Sequence, residues 1–241
     1  MKTYGQFCPV AKTAEIFAER WTPLIIRELC FGPKRFNELR NGLPLISRTL
    51  LSQRLRELEA VGVVESLPKA SGVGRIYRLT PAGLAFRPLI EMMGAWSQRW
   101  GHGEVTEDDL DPGLLLWSIR RQIRPELMPP RSFVMQFEFL GVPKRSQLSR
   151  YWWLVLNNPD VDVCQKNPGY DVDLVIHADL GDFTRLWLGQ IGLEDLQASN
   201  GLILRGSEEA QRIATMALGL QQRTGPKDFI YGAPLDMASP S

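Results

Sequence analysis

Between residues 47 and 56 the chain carries Ser47, Arg48, Thr49, Ser52, Gln53 and Arg56. These are side chains that bond nucleobase edges and phosphates: a guanidinium fork matches guanine or a phosphate, a carboxamide matches adenine, and a hydroxyl serves either. Thr49, Ser52, Gln53 and Arg56 recur at i, i+3, i+4 and i+7, one face of an α-helix, with Arg48 beside them at its start. This is the chemistry of binding, not of bond making. A solvated helix face gives the same stripe, so its surroundings must decide between the two.

Other reactive residue types are sparse. Cys8, Cys30 and Cys164 stand far apart without a C-x-x-C pair or a histidine cluster, which indicates neither a zinc site nor a disulfide framework. The two histidines, His102 and His177, have no nucleophile or metal set to serve. Asp171, Asp173, Asp179 and Asp182 are dense, but their spacing fits no calcium loop, and Asp179 or Asp182 suits the cap of a following helix. The Gly72-Val73-Gly74 triplet lies between strand-like runs, not before a helix, so it is no phosphate loop. The expectation is a non-enzyme with no cofactor and no metal.

The polar stripe sits in "ISRTLLSQRLRELEAVGVVES", where Leu51, Leu55 and Leu58, with Leu50 alongside, form the opposing core face of a helix over 46–61. Ser47 is placed to cap it, and Gly62 to end it where positive φ is cheap. Acid appears only late, as Glu57, Glu59 and Glu65, consistent with a helix whose first turns meet phosphates. Upstream, residues 8–31 read as two helices. Val10, Ala14, Phe17 and Ala18 face inward on the first, and Leu24, Ile25, Leu29 and Cys30 on the second. Thr22 is expected to cap the second helix ahead of Pro23. A short helix follows with Phe36 and Leu39 inward, then a turn at Pro44: a helix-turn-helix. Downstream, Val63–Leu67 and Arg75–Leu79 read as a hairpin, a wing whose tip residue Lys69 and base residue Arg75 can reach phosphates. Thr80 and Pro81 then open one long helix to Trp100, whose apolar band of Leu84, Leu89, Met92, Met93, Trp96 and Trp100 implies a partner helix, hence a homodimer, unless the second domain covers it.

Charge divides the 241 residues. Residues 1–103 hold 15 Lys and Arg against 8 Asp and Glu, net +7, and the remainder 13 against 19, net −6. A basic half suits a polyanion partner, and an acidic half argues against a nonspecific nucleic-acid glove. The expected organisation is a DNA-binding domain over 1–103, an acidic linker over 104–111 and a second domain over 112–241. The start lacks the apolar core of a signal peptide and no run suffices to span a bilayer, so the sequence reads as a cytoplasmic chain without a membrane partner.

The joint pattern of Cys8-Pro9, the W-T-P-L helix, the R-F-N-E-L helix, S-x-x-L-L-S-x-R-L-R-E-L and the Y-x-L-T-x-x-G wing strand resembles the HxlR-type winged-helix transcriptional regulators over roughly residues 5–103. The resemblance implies a homodimer on a palindromic double-stranded DNA operator, with Arg48, Thr49, Ser52, Gln53 and Arg56 on the DNA. It also makes Cys8 the candidate sensor of electrophiles or oxidants.

The second half alternates apolar residues on strand-like runs at 131–140, 150–158 and 170–180, with a shorter one at 161–166. Helical segments and a strand over 202–206 follow, then a closing helix. The expected fold class is therefore α+β: a winged helix-turn-helix domain, then an α/β sandwich with helices on one side of a mostly antiparallel sheet. The D-x-x-D-F-x-x-L-W-x-G and S-N-G-x-x-x-x-G-S strings resemble sterol carrier protein-type domains over roughly 112–223. That resemblance implies an apolar small-molecule effector held between sheet and helices, with Phe133, Met135, Phe137, Trp152, Trp153 and Trp187 as candidate lining. Plain core is the other reading of the tryptophans. The sequence thus predicts a DNA-binding regulator modulated by ligand or thiol chemistry; the rival is a lipid carrier or interaction protein using its winged helix for protein docking.

Overall fold

The computed structural model describes residues 3–68, 74–100, 105–123, 126, 128–144 and 149–220. Two compact units divide between Gly94 and Ala95. Lys69, His102 and the domain boundary expected after residue 103 lie outside the described residues.

The first unit opens with α1 (Pro9–Phe17) and α2 (Thr22–Cys30). Three expectations fail here: the inward face of α1, where Ala18 is exposed as well as Val10, the cap of α2 and the burial of Leu24. Val10 is exposed and α1 buries no residue completely; Ile16 and Phe17 supply its contact with the core. Thr22 is not the cap of α2: Trp21, at φ 77°, takes that place, and its carbonyl accepts the first helical bond from the Ile25 amide at 2.9 Å. The Thr22 amide is already bonded to the Glu19 carbonyl, which draws Thr22 into the helix, where it is buried. Leu24 is partly exposed, whereas Ile25, Ile26 and Leu29 are buried.

A two-residue strand the sequence did not announce, β1 (Lys34–Arg35), precedes α3 (Phe36–Asn41). Next come α4 (Arg48–Ala60), β2 (Val64–Pro68) and β3 (Arg75–Leu79), in a sheet of order β1-β3-β2 with antiparallel pairing. Leu51, Leu55 and Leu58 bury the expected stripe of α4 against Ile25, Ile26, Leu39 and Leu43 in one core. Fully burying such a side chain contributes ~1.5–3 kcal/mol, which makes the leucine stripe the determinant of how α4 is rotated about its axis.

The expected long helix over 81–100 is two: α5 (Pro81–Leu84) and α6 (Arg87–Trp100). Pro88 cannot donate to the Leu84 carbonyl, so the chain breaks at Ala85 and Phe86 and restarts with the Leu89 and Ile90 amides on the Phe86 carbonyl. Gly83 lies so close to the wing that a Cβ there would run into the Val63 carbonyl oxygen and stand 3.1 Å from its carbon.

The second unit takes in the end of α6 from Ala95 on, then a 3₁₀ turn (Glu107–Asp109) and α7 (Pro112–Gln122), capped by Asp111 accepting from the Leu114 amide at 2.9 Å. It continues through β4 (Phe133–Leu140), β5 (Tyr151–Asn157), β6 (Asp160–Cys164), β7 (Leu174–Asp179), α8 (Leu180–Trp187), α9 (Leu193–Ala198), β8 (Leu202–Gly206) and α10 (Glu208–Ala217). The sheet order is β6-β5-β4-β7-β8, antiparallel except for the parallel β4 and β7. Phe133, Met135, Phe137 and Phe139 point to one face and pack with residues of α7, α8, α9 and α10 in a single core. This is the mixed α/β architecture expected, with Asp179 capping α8 through the Gly181 and Asp182 amides.

Candidate nucleic-acid interface

The leucine stripe turns the polar face of α4 outward. Arg48, Thr49, Gln53 and Arg56 are exposed and Ser52 is half-buried. Among the described residues neither Arg48 nor Arg56 enters an ion pair, which leaves both guanidinium groups to solvent or a polyanion. Ser47 does its expected work as cap, accepting from the Leu50 amide at 3.2 Å. Gly62, at φ 71°, ends the helix, and the Val63 amide bonds back to the Leu58 carbonyl at 2.9 Å. No acid stands in the first turn of α4, so nothing there repels phosphate.

The hairpin leaves directly from this helix. Arg75 pairs with Pro68 at the loop end of the strands, donating from Nε to Ser66 Oγ at 2.7 Å, while Ser66 donates to the Glu59 carboxylate. Arg75 is thus tied toward the C-terminal end of α4 and remains largely exposed.

Two side chains of α4 organise the helix: Arg54, which sequence reasoning passed over, and Glu57, which it read only as a late acid. Arg54, mostly buried, donates from Nη2 to Glu19 Oε2 at 2.7 Å, from Nε to the Arg20 carbonyl at 3.3 Å and from Nη1 to Glu57 Oε2 at 2.6 Å. The other oxygen of Glu57 accepts from Gln53 Nε2 at 2.9 Å. Desolvation would raise the pKa of Glu57, but the hydrogen bonds from Gln53 and Arg54 and the Arg54 charge outweigh it and hold the carboxyl below its ordinary value. The i, i+3 and i, i+4 spacing of these residues was the available signal.

The other candidate positions are more scattered. Cys8 is half-buried just before Pro9. Cys30 is pushed up to about 11, chiefly by burial, and Cys164 is also raised by burial and the nearby Asp162 charge. In the second unit Phe133, Met135, Phe137 and Trp187 are buried together in the helix-covered core. Trp152 packs at that core's edge with Nε1 donating to the Ser149 carbonyl at 2.7 Å. Trp153 lies on the opposite face of the sheet, with Val134 and Val155, so it does not share a lining with the other five. Among the described residues no group of His, Cys, Asp and Glu is arranged to hold a metal, and no helix is long and apolar enough to cross a membrane.

A capped helix packed on a helix-turn-helix, with its polar face outward and a hairpin at its end, defines the winged helix-turn-helix class of DNA-binding proteins. Residues 16–105 match the family model described as HxlR-like helix-turn-helix. The transcriptional regulator YodB of Bacillus subtilis is 40% identical over 96 residues, 39% of this chain and 85% of YodB. The uncharacterized regulator YvaP of the same organism is 37% identical over 98 residues, 40% of this chain and 91% of YvaP. Among solved structures, the redox regulator HypR in its reduced form is 31% identical, covering 38% of this chain and 92% of HypR with a TM-score of 0.37. The chain belongs to the HxlR-like helix-turn-helix family. It is a DNA-binding transcriptional regulator, which sets aside the docking-module alternative.

Proposed function

We propose that the protein binds a palindromic operator as a homodimer, reading bases with Arg48, Thr49, Ser52, Gln53 and Arg56 and touching phosphates with Ser47, Lys69 and Arg75. The observation that carries this is α6: Leu89, Met92, Met93, Trp96 and Trp100 recur on one face, and Met92, Trp96 and Trp100 are 67%, 64% and 59% exposed. An apolar stripe of that size at helical spacing fits a second copy of itself across a two-fold axis. Two copies of α4 then address half-sites about one DNA turn apart, ~34–36 Å.

The second unit serves as the effector module. Its helices gathered on one face of a five-stranded sheet, and the apolar Phe133, Met135, Phe137 and Trp187 between the layers, support a sterol carrier protein-type reading with an apolar ligand held there. Thiol modification at Cys8 is the second input, favoured by its position at the start of α1, a helix that buries no residue completely, and by the redox function named for HypR. Either input acts by changing the separation of the two α4 helices. A difference of ~1–3 kcal/mol between the two states shifts occupancy roughly 5- to 150-fold.

The test is operator binding across a salt series. Arg56→Ala costs ~1–3 kcal/mol and relaxes sequence preference, whereas Lys69→Ala weakens all sequences alike and flattens the salt slope. Met92→Glu, measured by sedimentation equilibrium, yields monomers with weakened operator binding. Identical behaviour of the Arg56 and Lys69 variants, or a Met92→Glu protein that stays dimeric, refutes the respective assignment.

A further inference from the structure

The polar face of α4 is not uniformly free. Arg48 and Arg56 are unpaired among the described residues, but Gln53 is held: its Nε2 donates to Glu57 Oε1 at 2.9 Å. An ionised carboxylate only accepts, so of the two ways round a carboxamide can sit, this partner permits one. One N–H of Gln53 is thereby used. Its second N–H and its Oε1 remain, and they form the adjacent donor and acceptor that match N7 and the N6 amino group of adenine in the major groove.

Glu57 is itself fixed. Arg54 Nη1 donates to its other oxygen at 2.6 Å, and Arg54 is anchored in turn by Glu19 and the Arg20 carbonyl in the turn between α1 and α2. The guanidinium also offsets a negative charge that would otherwise oppose the phosphates. A long polar side chain normally loses rotamer freedom when it binds, and a partner that has already oriented it removes part of that cost.

We propose that Gln53 selects an adenine in each half-site, and that Glu57, held by Arg54, is the positioning residue that fixes its carboxamide for that contact. This rests on the reading of α4 as the recognition helix. The alternative, an ordinary surface i, i+4 pair, would stabilise the helix slightly and leave base choice untouched.

The experiment uses the full-length protein. Wild type selects double-stranded oligonucleotides from a randomised pool, and the consensus is then rebuilt with each base pair replaced in turn. Affinities are measured for wild type, Gln53→Ala, Glu57→Ala and Glu57→Gln, with a scrambled duplex and the melting temperature of each variant as controls. Wild type is expected to lose roughly 10- to 100-fold at one A·T pair per half-site, the range for a bidentate contact. That discrimination falls below about threefold in Gln53→Ala and in both Glu57 variants, while affinity for the scrambled duplex stays within about twofold and preferences at other positions persist. Glu57→Gln keeps the shape and a neutral partner, so it decides the case should Glu57→Ala melt early. Discrimination retained in the Glu57 variants, or lost equally at every position, overturns the inference and leaves the recognition helix intact. A wild-type protein that selects no sequence overturns the proposed function with it.

Discussion

Replacing Gly83 by alanine tests the joint between α4 and the β2–β3 hairpin. The added Cβ would run into the Val63 carbonyl oxygen and lie 3.1 Å from its carbon and 3.0 Å from Leu79 Cδ2, so a backbone atom, not a flexible side chain, must yield. That carbonyl accepts from the Thr80 amide at 3.1 Å, and the Thr80 hydroxyl reaches the neighbouring Gly62 carbonyl. Overpacking of this kind costs ~1–3 kcal/mol. Alanine returns at most ~1 kcal/mol over glycine through helix propensity, and α5 is only one turn long. The net loss is about 1–2 kcal/mol, a factor of roughly 5–30 in the opening equilibrium. Hydrogen exchange followed by mass spectrometry on peptides spanning 62–80 of the intact chain reads that factor directly, as faster exchange of the β2–β3 ladder amides. Exchange at or below the wild-type rate would show that the close approach is not a constraint and that the glycine of the Y-x-L-T-x-x-G string has another cause.

Ser47→Ala removes the cap of α4 and should lower stability by ~1 kcal/mol in denaturant titration. Ser47→Asp restores the cap, and stability with it, but sets an acid at the end of α4 proposed to face phosphate, so operator affinity should fall while the melting temperature recovers; parallel recovery of both would exclude a phosphate contact there. Burial lifts Cys30 to about 11, so at pH 7.5 iodoacetamide should label the half-buried Cys8 well before Cys30, as read by peptide mapping. Because the folded pKa of Cys30 lies above the ordinary thiol value of 9.0, the unfolded chain ionises first, and stability should decline as pH rises from about 9 to 11 by up to ~1.4 kcal/mol per pH unit. A flat stability profile across that window would contradict the burial of the thiol.

Legibility in the sequence followed the strength of the local signal. The leucine stripe of α4, the serine cap and Gly62 each act within one or two turns, and the structure realises all three. The break before α6 was also local, since Pro88 removes one donor, but the continuous apolar pattern on both sides concealed it. What could not be read was long-range. The strand pairing of Lys34 with Tyr77 depends on two distant segments meeting, and Arg54 looks like any surface arginine until the turn after α1 brings Glu19 to it. The division of Trp152 from Trp153 was legible, because alternate residues of a strand take opposite faces, yet both entered one candidate lining because aromatic character outweighed parity. In the same way Glu57 was read as an acid beyond the groove, when its spacing from Gln53 already allowed the contact it makes.

The parallel pairing of β4 with β7 at the centre of the second sheet also sets a timetable. Those strands cannot join through a hairpin; β5 and β6 must form and the chain return before the middle of the sheet closes, and β8 and α10 follow later still. The described residues of the winged unit end at Gly94, within α6, and all emerge earlier from the ribosome. At ~5–20 residues per second, the winged elements of a nascent chain are out of the ribosome for several seconds before the second unit can complete. If subunits pair through α6 as proposed above, two chains growing on one message would meet during that interval, and the pairing would be decided while their second units are still being made.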